Sequence, residues 1–177
     1  PTLIVIYHDM LKKLENRQKN ITAEQIAELE WEIDFELIIP RRDVCDIYTE
    51  VVKSGKKVYI VSDTYYDKKQ LEQILKKCKI TGYVDILSSS DYGTSKQHGL
   101  YEVLKEREKR KKFLHIGDDI ISDIESARKH GLEACRLMSA VDLLEAVGNL
   151  GLDIYMDSMS ERLKIGLFIA RIFNSPF

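Results

Sequence analysis

Three short stretches carry the residues best suited to chemistry. In "FLHIGDDIISDIESARKHG", residues 113–131, an apolar run is followed by a glycine and then by Asp118, Asp119 and Asp123. Neighbouring carboxylates repel one another and have raised pKa values unless a cation sits among them, and their hard oxygens suit Mg2+, which keeps several waters. Asp118 falls where a strand gives way to a loop, and Asp123 lies near one helical turn beyond it. The plainer alternative makes Asp119 and Ser122 helix N-caps and leaves Asp123 complementing the helix dipole. The second stretch, "VYIVSD", ends an apolar run on Ser62 and Asp63, before a helix capped at Asp67. A serine there, with the next backbone N–H groups, can hold a phosphate oxygen. The third, "TSKQHGL", sets Lys96 just before a helix containing Leu100, Val103 and Leu104. Its ammonium can neutralise phosphate or carboxylate charge.

These stretches need elements that bring strand ends together. Apolar runs and helical periods alternate along the chain: a strand in "KKVYIVSD", a helix over 67–78, a strand over 83–87, a helix over 97–110, a strand over 112–116, a helix over 119–130, a strand over 132–137 and a helix over 141–147. Such alternation predicts an α/β fold with a doubly wound, Rossmann-like parallel sheet covered on both faces, with functional groups at the carboxyl ends of the strands. Ser62, Lys96 and Asp118 are then expected at one rim. Before this core, Ile26, Leu29, Ile33 and Leu37 fall on one face of an acidic helix that Pro40 ends, and Asp43 is placed to cap a further helix through Val52.

Composition excludes several classes. The 177 residues are 44% hydrophobic and 32% charged with a net charge of −2, so no bulk charge recruits nucleic acid. No apolar run is long enough to span a bilayer and none has the layout of a signal peptide, so the reading is cytoplasmic. Cys45, Cys78 and Cys135 lack metal-ligand spacing and are expected as buried reduced thiols. The basic run 105–112 reads as a solvated helix end. The segment after Asp157, with Leu163, Leu167, Phe168 and Ile172, is apolar nearly all round and suits a packing or docking helix.

Together, "VYIVSDTYY", "TSKQHGLYEVL" and "HIGDDIISDIESA" resemble, in order and strand context, the haloacid dehalogenase superfamily of phosphohydrolases over roughly residues 56–137. With "IIPRRDV" and the terminal "NSPF", the chain looks more narrowly like the domains of that superfamily attached to bacterial glycosyltransferases and surface-polysaccharide proteins. The resemblance implies a small helical cap over 1–40, incomplete here, a core over 41–150 and a helical extension over 151–177. It further implies Mg2+ held by Asp118, Asp119 and Asp123, phosphate held by Ser62, Asp63 and Lys96, Lys96 as a catalytic group, a phosphorylated small molecule such as a sugar phosphate as substrate, and a covalently linked glycosyltransferase domain.

One element of the superfamily pattern is missing. Its nucleophile is the first carboxylate of an Asp-x-Asp motif after an earlier strand, and these 177 residues contain no Asp-x-Asp. The nearest imitation is "LIVIYHDML", where Leu11 stands in place of the second acid after Asp9, and the spacing of Leu3, Met10, Leu11 and Leu14 favours a helix. The sequence therefore predicts a chain that is inactive by itself, its nucleophile strand lying upstream of Pro1. The alternative is a non-catalytic interaction domain. A receiver domain would place its paired acids after the first strand, and a dinucleotide enzyme would need a G-x-G-x-x-G, which is absent.

Overall fold

In the computed structural model, which describes residues 1–14, 21–109, 111–138, 158 and 160, the predicted strands are present and short: β1 Tyr59–Ser62, β2 Asp85–Ser88, β3 Leu114–Gly117 and β4 Glu133–Arg136. β1 pairs in parallel with β2, ending on Ser62 opposite Ser88, and β3 pairs in parallel with β4, ending on Gly117 opposite Arg136. Parallel neighbours need a crossover, and helices supply it. The fold is thus α/β and Rossmann-like in its alternation, rich in helix, with small parallel sheets. The chain divides into two compact units, Pro1–Pro40 with Cys45–Lys111, and Arg41–Val44 with Lys112–Phe177.

In the first unit, "LIVIYHDMLKK" is helical, so it supplies no strand: α1 spans Leu3–Lys13, and Asp9 lies on its surface 3.5 Å from Lys12. α2, Ala23–Leu37, opens on a reciprocal cap in which Thr22 accepts the Gln25 N–H and the Gln25 side chain accepts that of Thr22. α3, Arg42–Lys53, of which Arg42–Val44 belong to the second unit, begins one residue before Asp43, which lies in its first turn rather than at the cap. α4, Lys68–Lys77, is capped by Asp67 and Gln70 in the same way as α2. α5 is the single turn Ser89–Tyr92. The predicted helix over 97–110 is interrupted: a widened turn, Lys96–Leu100, contains Gly99 outside helical geometry, and α6 follows as Tyr101–Arg107. Ile86, Leu87, Leu100, Tyr101 and Leu104 are buried, and Leu3, Ala27 and Tyr66 form an adjoining cluster with Tyr7, Trp31, Tyr65, Leu71 and Ile74.

In the second unit the predicted helix over 119–130 is a wide turn, Ile120–Glu125, running into α7, Ser126–Lys129. Among the described residues of this unit, Ile124, Ala127 and Leu132 are buried and apolar. Leu114 and Ile116, on the other face of β3 from His115 and Gly117, are exposed. The cysteines are free, but only Cys78 is buried; Cys45 is half-buried and Cys135 exposed. No helix among the described residues is long and apolar enough to cross a membrane. The helix predicted over 141–147 and the extension over 151–177 lie outside the described residues, apart from Ser158 and Ser160.

Candidate functional site

The first unit gathers Ser62, Asp63 and Lys96. Ser62 is the last residue of β1, and the exposed Asp63 carboxylate accepts the backbone N–H of Lys96 at 2.9 Å. That bond ties the turn bearing Lys96, itself buried, to the carboxyl end of β1. A hydrogen bond from an amide to a carboxylate is stronger than one between neutral groups, so it orients the turn effectively.

The loop after Ser62 is held by Ser88, which ends β2, and by Ser89 and Ser90 of α5. Ser89 Oγ accepts the Thr64 N–H at 2.9 Å and donates to the Thr64 carbonyl at 3.0 Å. Ser88 and Ser90 both donate to the Tyr66 carbonyl, at 2.5 and 2.7 Å. Tyr66 O–H in turn donates to Asp34 of α2 at 2.5 Å, and Glu30 receives the hydroxyls of Tyr7 and Tyr65. Burial, followed by the bond to Asp34, holds the Tyr66 hydroxyl well above the ordinary tyrosine range. The loop is therefore fixed from β2 on one side and from α2 on another. These serines and tyrosines carry no periodic signal, although "SSSDYGTSK" is visible in the sequence as a strand-end loop.

The second unit gathers the aspartates, each in a different state. Asp119 Oδ1 accepts the Ser122 N–H at 2.6 Å, which caps the following turn and holds the Asp119 carboxyl below its usual range. Asp123 is buried; its Oδ2 accepts the Asp119 N–H at 3.1 Å and its Oδ1 lies 3.0 Å from His115 Nε2. Asp118 is exposed. His115 and Gly117 share one face of β3, so a carboxylate laid over Gly117 reaches His115, a relation the period-two spacing makes readable.

Mg2+ needs only one or two protein carboxylates beside its waters, and Asp118 offers an exposed hard-oxygen donor that fits such an ion. No group of three His, Cys, Asp or Glu side chains suited to a metal is assembled among the described residues. The exposed carboxylate of Asp118 thus suits a largely hydrated magnesium.

Residues 2–137 match the family model described as haloacid dehalogenase-like hydrolase. Among solved structures the chain is similar to the HAD-hydrolase YfnB from Bacillus subtilis, determined with magnesium bound, at 18% identity and a TM-score of 0.58, covering 76% of this chain and 60% of that one. It is also similar to a hydrolase from Streptococcus pneumoniae TIGR4 at 19% identity and a TM-score of 0.51, covering 81% and 78%. At these identities the likeness is one of fold, and the chain spans 60% of the length of the Bacillus protein. No curated protein matches it.

Proposed function

Because the chain belongs to the haloacid dehalogenase-like hydrolase family, we propose that it is the phosphate- and magnesium-handling part of a phosphomonoester hydrolase. The observation that carries this reading is the Asp63 bond to the Lys96 N–H, which fixes the start of the lysine-bearing turn at the end of β1 that presents Ser62. Ser62 then donates to a phosphoryl oxygen and the Lys96 ammonium offsets its charge, Asp63 acting through the turn it holds. Phosphoryl transfer depends chiefly on positioning and electrostatics, which is what such a turn supplies. Asp118 is the direct magnesium ligand in this reading; Asp119 and Asp123 act by holding the turn in place. When bound at Asp118, magnesium supplies the positive charge that this chemistry uses to neutralise anionic oxygens.

The substrate class is a phosphorylated small molecule, a sugar phosphate if the chain belongs with glycosyltransferase- or polysaccharide-linked relatives. The nucleophilic carboxylate is not among these 177 residues, so the chain alone binds phosphate and releases none from esters. Titration with inorganic phosphate, followed by phosphorus NMR line width, tests the site: Ser62→Ala and Lys96→Ala are expected to weaken binding about tenfold, one lost charged contact being worth about 1.4 kcal/mol. Asp118→Asn is expected to weaken Mg2+ binding, read by calorimetry, and to leave phosphate binding measured without Mg2+ unchanged. Magnesium-dependent turnover of para-nitrophenyl phosphate that Asp118→Asn abolishes would place the nucleophile within this chain and overturn the assignment.

A further inference from the structure

The outer face of α2 has a composition that neither the packing among the described residues nor the proposed chemistry uses. Leu29, Ile33 and Leu37 recur every four residues and are 56%, 46% and 62% exposed, and the half-buried Ile26 extends their line. The stripe runs about 12 Å at 1.5 Å per residue, two turns of helix. Beside it, Glu24, Glu28, Glu32 and Glu36 form a second row at the same spacing, all exposed. Like charges at this spacing destabilise a helix. The ends of the row are eased locally: Glu24 sits in the first turn, and Lys77 donates to the Phe35 and Glu36 carbonyls. In the middle, no ion pair to Glu28 or Glu32 is found among the described residues.

We propose that α2 is a docking face for a basic amphipathic helix of another protein chain, whose apolar residues cover Leu29, Ile33 and Leu37 and whose Lys or Arg residues face Glu28 and Glu32. An exposed apolar stripe rimmed by uncompensated charge of one sign marks an interaction surface, and the charge selects the partner. A second copy of this chain is disfavoured, since antiparallel pairing of two α2 helices sets glutamate rows against each other. The acidic row equally opposes an anionic membrane surface. The stripe is small, so the association is expected to be transient, with a Kd on the order of 10–100 μM.

The test uses the full chain and two synthetic helical peptides with one leucine stripe, flanked in the first by lysine and in the second by glutamate. Fluorescence anisotropy is expected to show binding of the lysine-flanked peptide, about tenfold or more weaker for the glutamate-flanked one, and weakened as salt screens the pair. Ile33→Ser or, as a second exposed position, Leu29→Gln should lower affinity, with circular dichroism showing the fold intact. Glu28→Lys with Glu32→Lys should reverse the peptide preference. Failure to bind either peptide, equal affinity for both, an unchanged preference after charge reversal, binding to anionic vesicles, or a dimer that Ile33→Ser dissolves would each overturn the proposal.

Discussion

Asp123 occupies the space that a side chain on Gly117 would need. A Cβ built at Gly117 would stand 2.3 Å from both Cγ and Oδ2 of Asp123, far inside van der Waals contact. Gly117 is not among the positive-φ glycines, so the requirement is room and not backbone freedom. Gly117→Ala is therefore expected to destabilise the chain by about 1–3 kcal/mol, the usual range for overpacking. Urea denaturation measures this, and adding Asp123→Ala should recover part of the loss, a coupling that a double-mutant cycle reads directly.

Ser88 and Ser90 converge on one buried acceptor, the Tyr66 carbonyl. Removing either hydroxyl leaves the carbonyl with one donor and is expected to cost about 1 kcal/mol. Removing both orphans a buried polar group, so Ser88→Ala with Ser90→Ala should cost more than the sum of the single changes. Strict additivity in denaturant unfolding would show that water or the backbone satisfies this carbonyl.

What the sequence discloses and what it hides follow from the range of each interaction. Asp67 before an apolar-periodic segment, with Gln70 three residues on, is a local signal, and the helix starts where it says. The carboxyl ends at Ser62 and Gly117 are likewise legible, because a continuous apolar run stops there. The break at Gly99 is not, since Leu100, Val103 and Leu104 keep a helical period whether or not the preceding turn is regular. The cap at Asp119 is legible as a local signal, one of two readings the sequence leaves open, but the seat of Asp123 over Gly117 is not, since it depends on where donors lie in space. The exposure of Leu114 and Ile116 is hidden for a related reason, because an apolar strand face does not state which residues pack on it.

Glu108 is the acceptor of Lys57, of Tyr59 O–H at 2.8 Å and of Lys111 at 3.2 Å. The bond from Lys57, then that from Tyr59, takes its carboxyl from the ordinary 4.5 down to about 2. The folded-state value lies below the unfolded one, so the stabilisation is complete above about 4.5 and is lost as pH falls through that value towards about 2. Denaturant midpoints at pH 5, 4, 3 and 2.5 should fall more steeply for the native chain than for Glu108→Gln within this window. Equal slopes for the two proteins would show that the cluster dissolves in solution.

Asp63 and Lys96 give the most direct check on how the turn proposed to hold phosphate is positioned. The bond runs from the Lys96 backbone to Oδ1 of Asp63, so what the turn needs is an acceptor oxygen, which asparagine also carries. Asp63→Asn should thus keep phosphate affinity near the native value, whereas Asp63→Ala releases the turn and should weaken it by about tenfold, the equivalent of one hydrogen bond to a charged group. The lysine keeps its charge in both variants, so an affinity difference between them reports position and not electrostatics. If Asn falls as far as Ala, the negative charge of Asp63 matters in its own right, and the turn is oriented by attraction to that charge and not by the hydrogen bond alone.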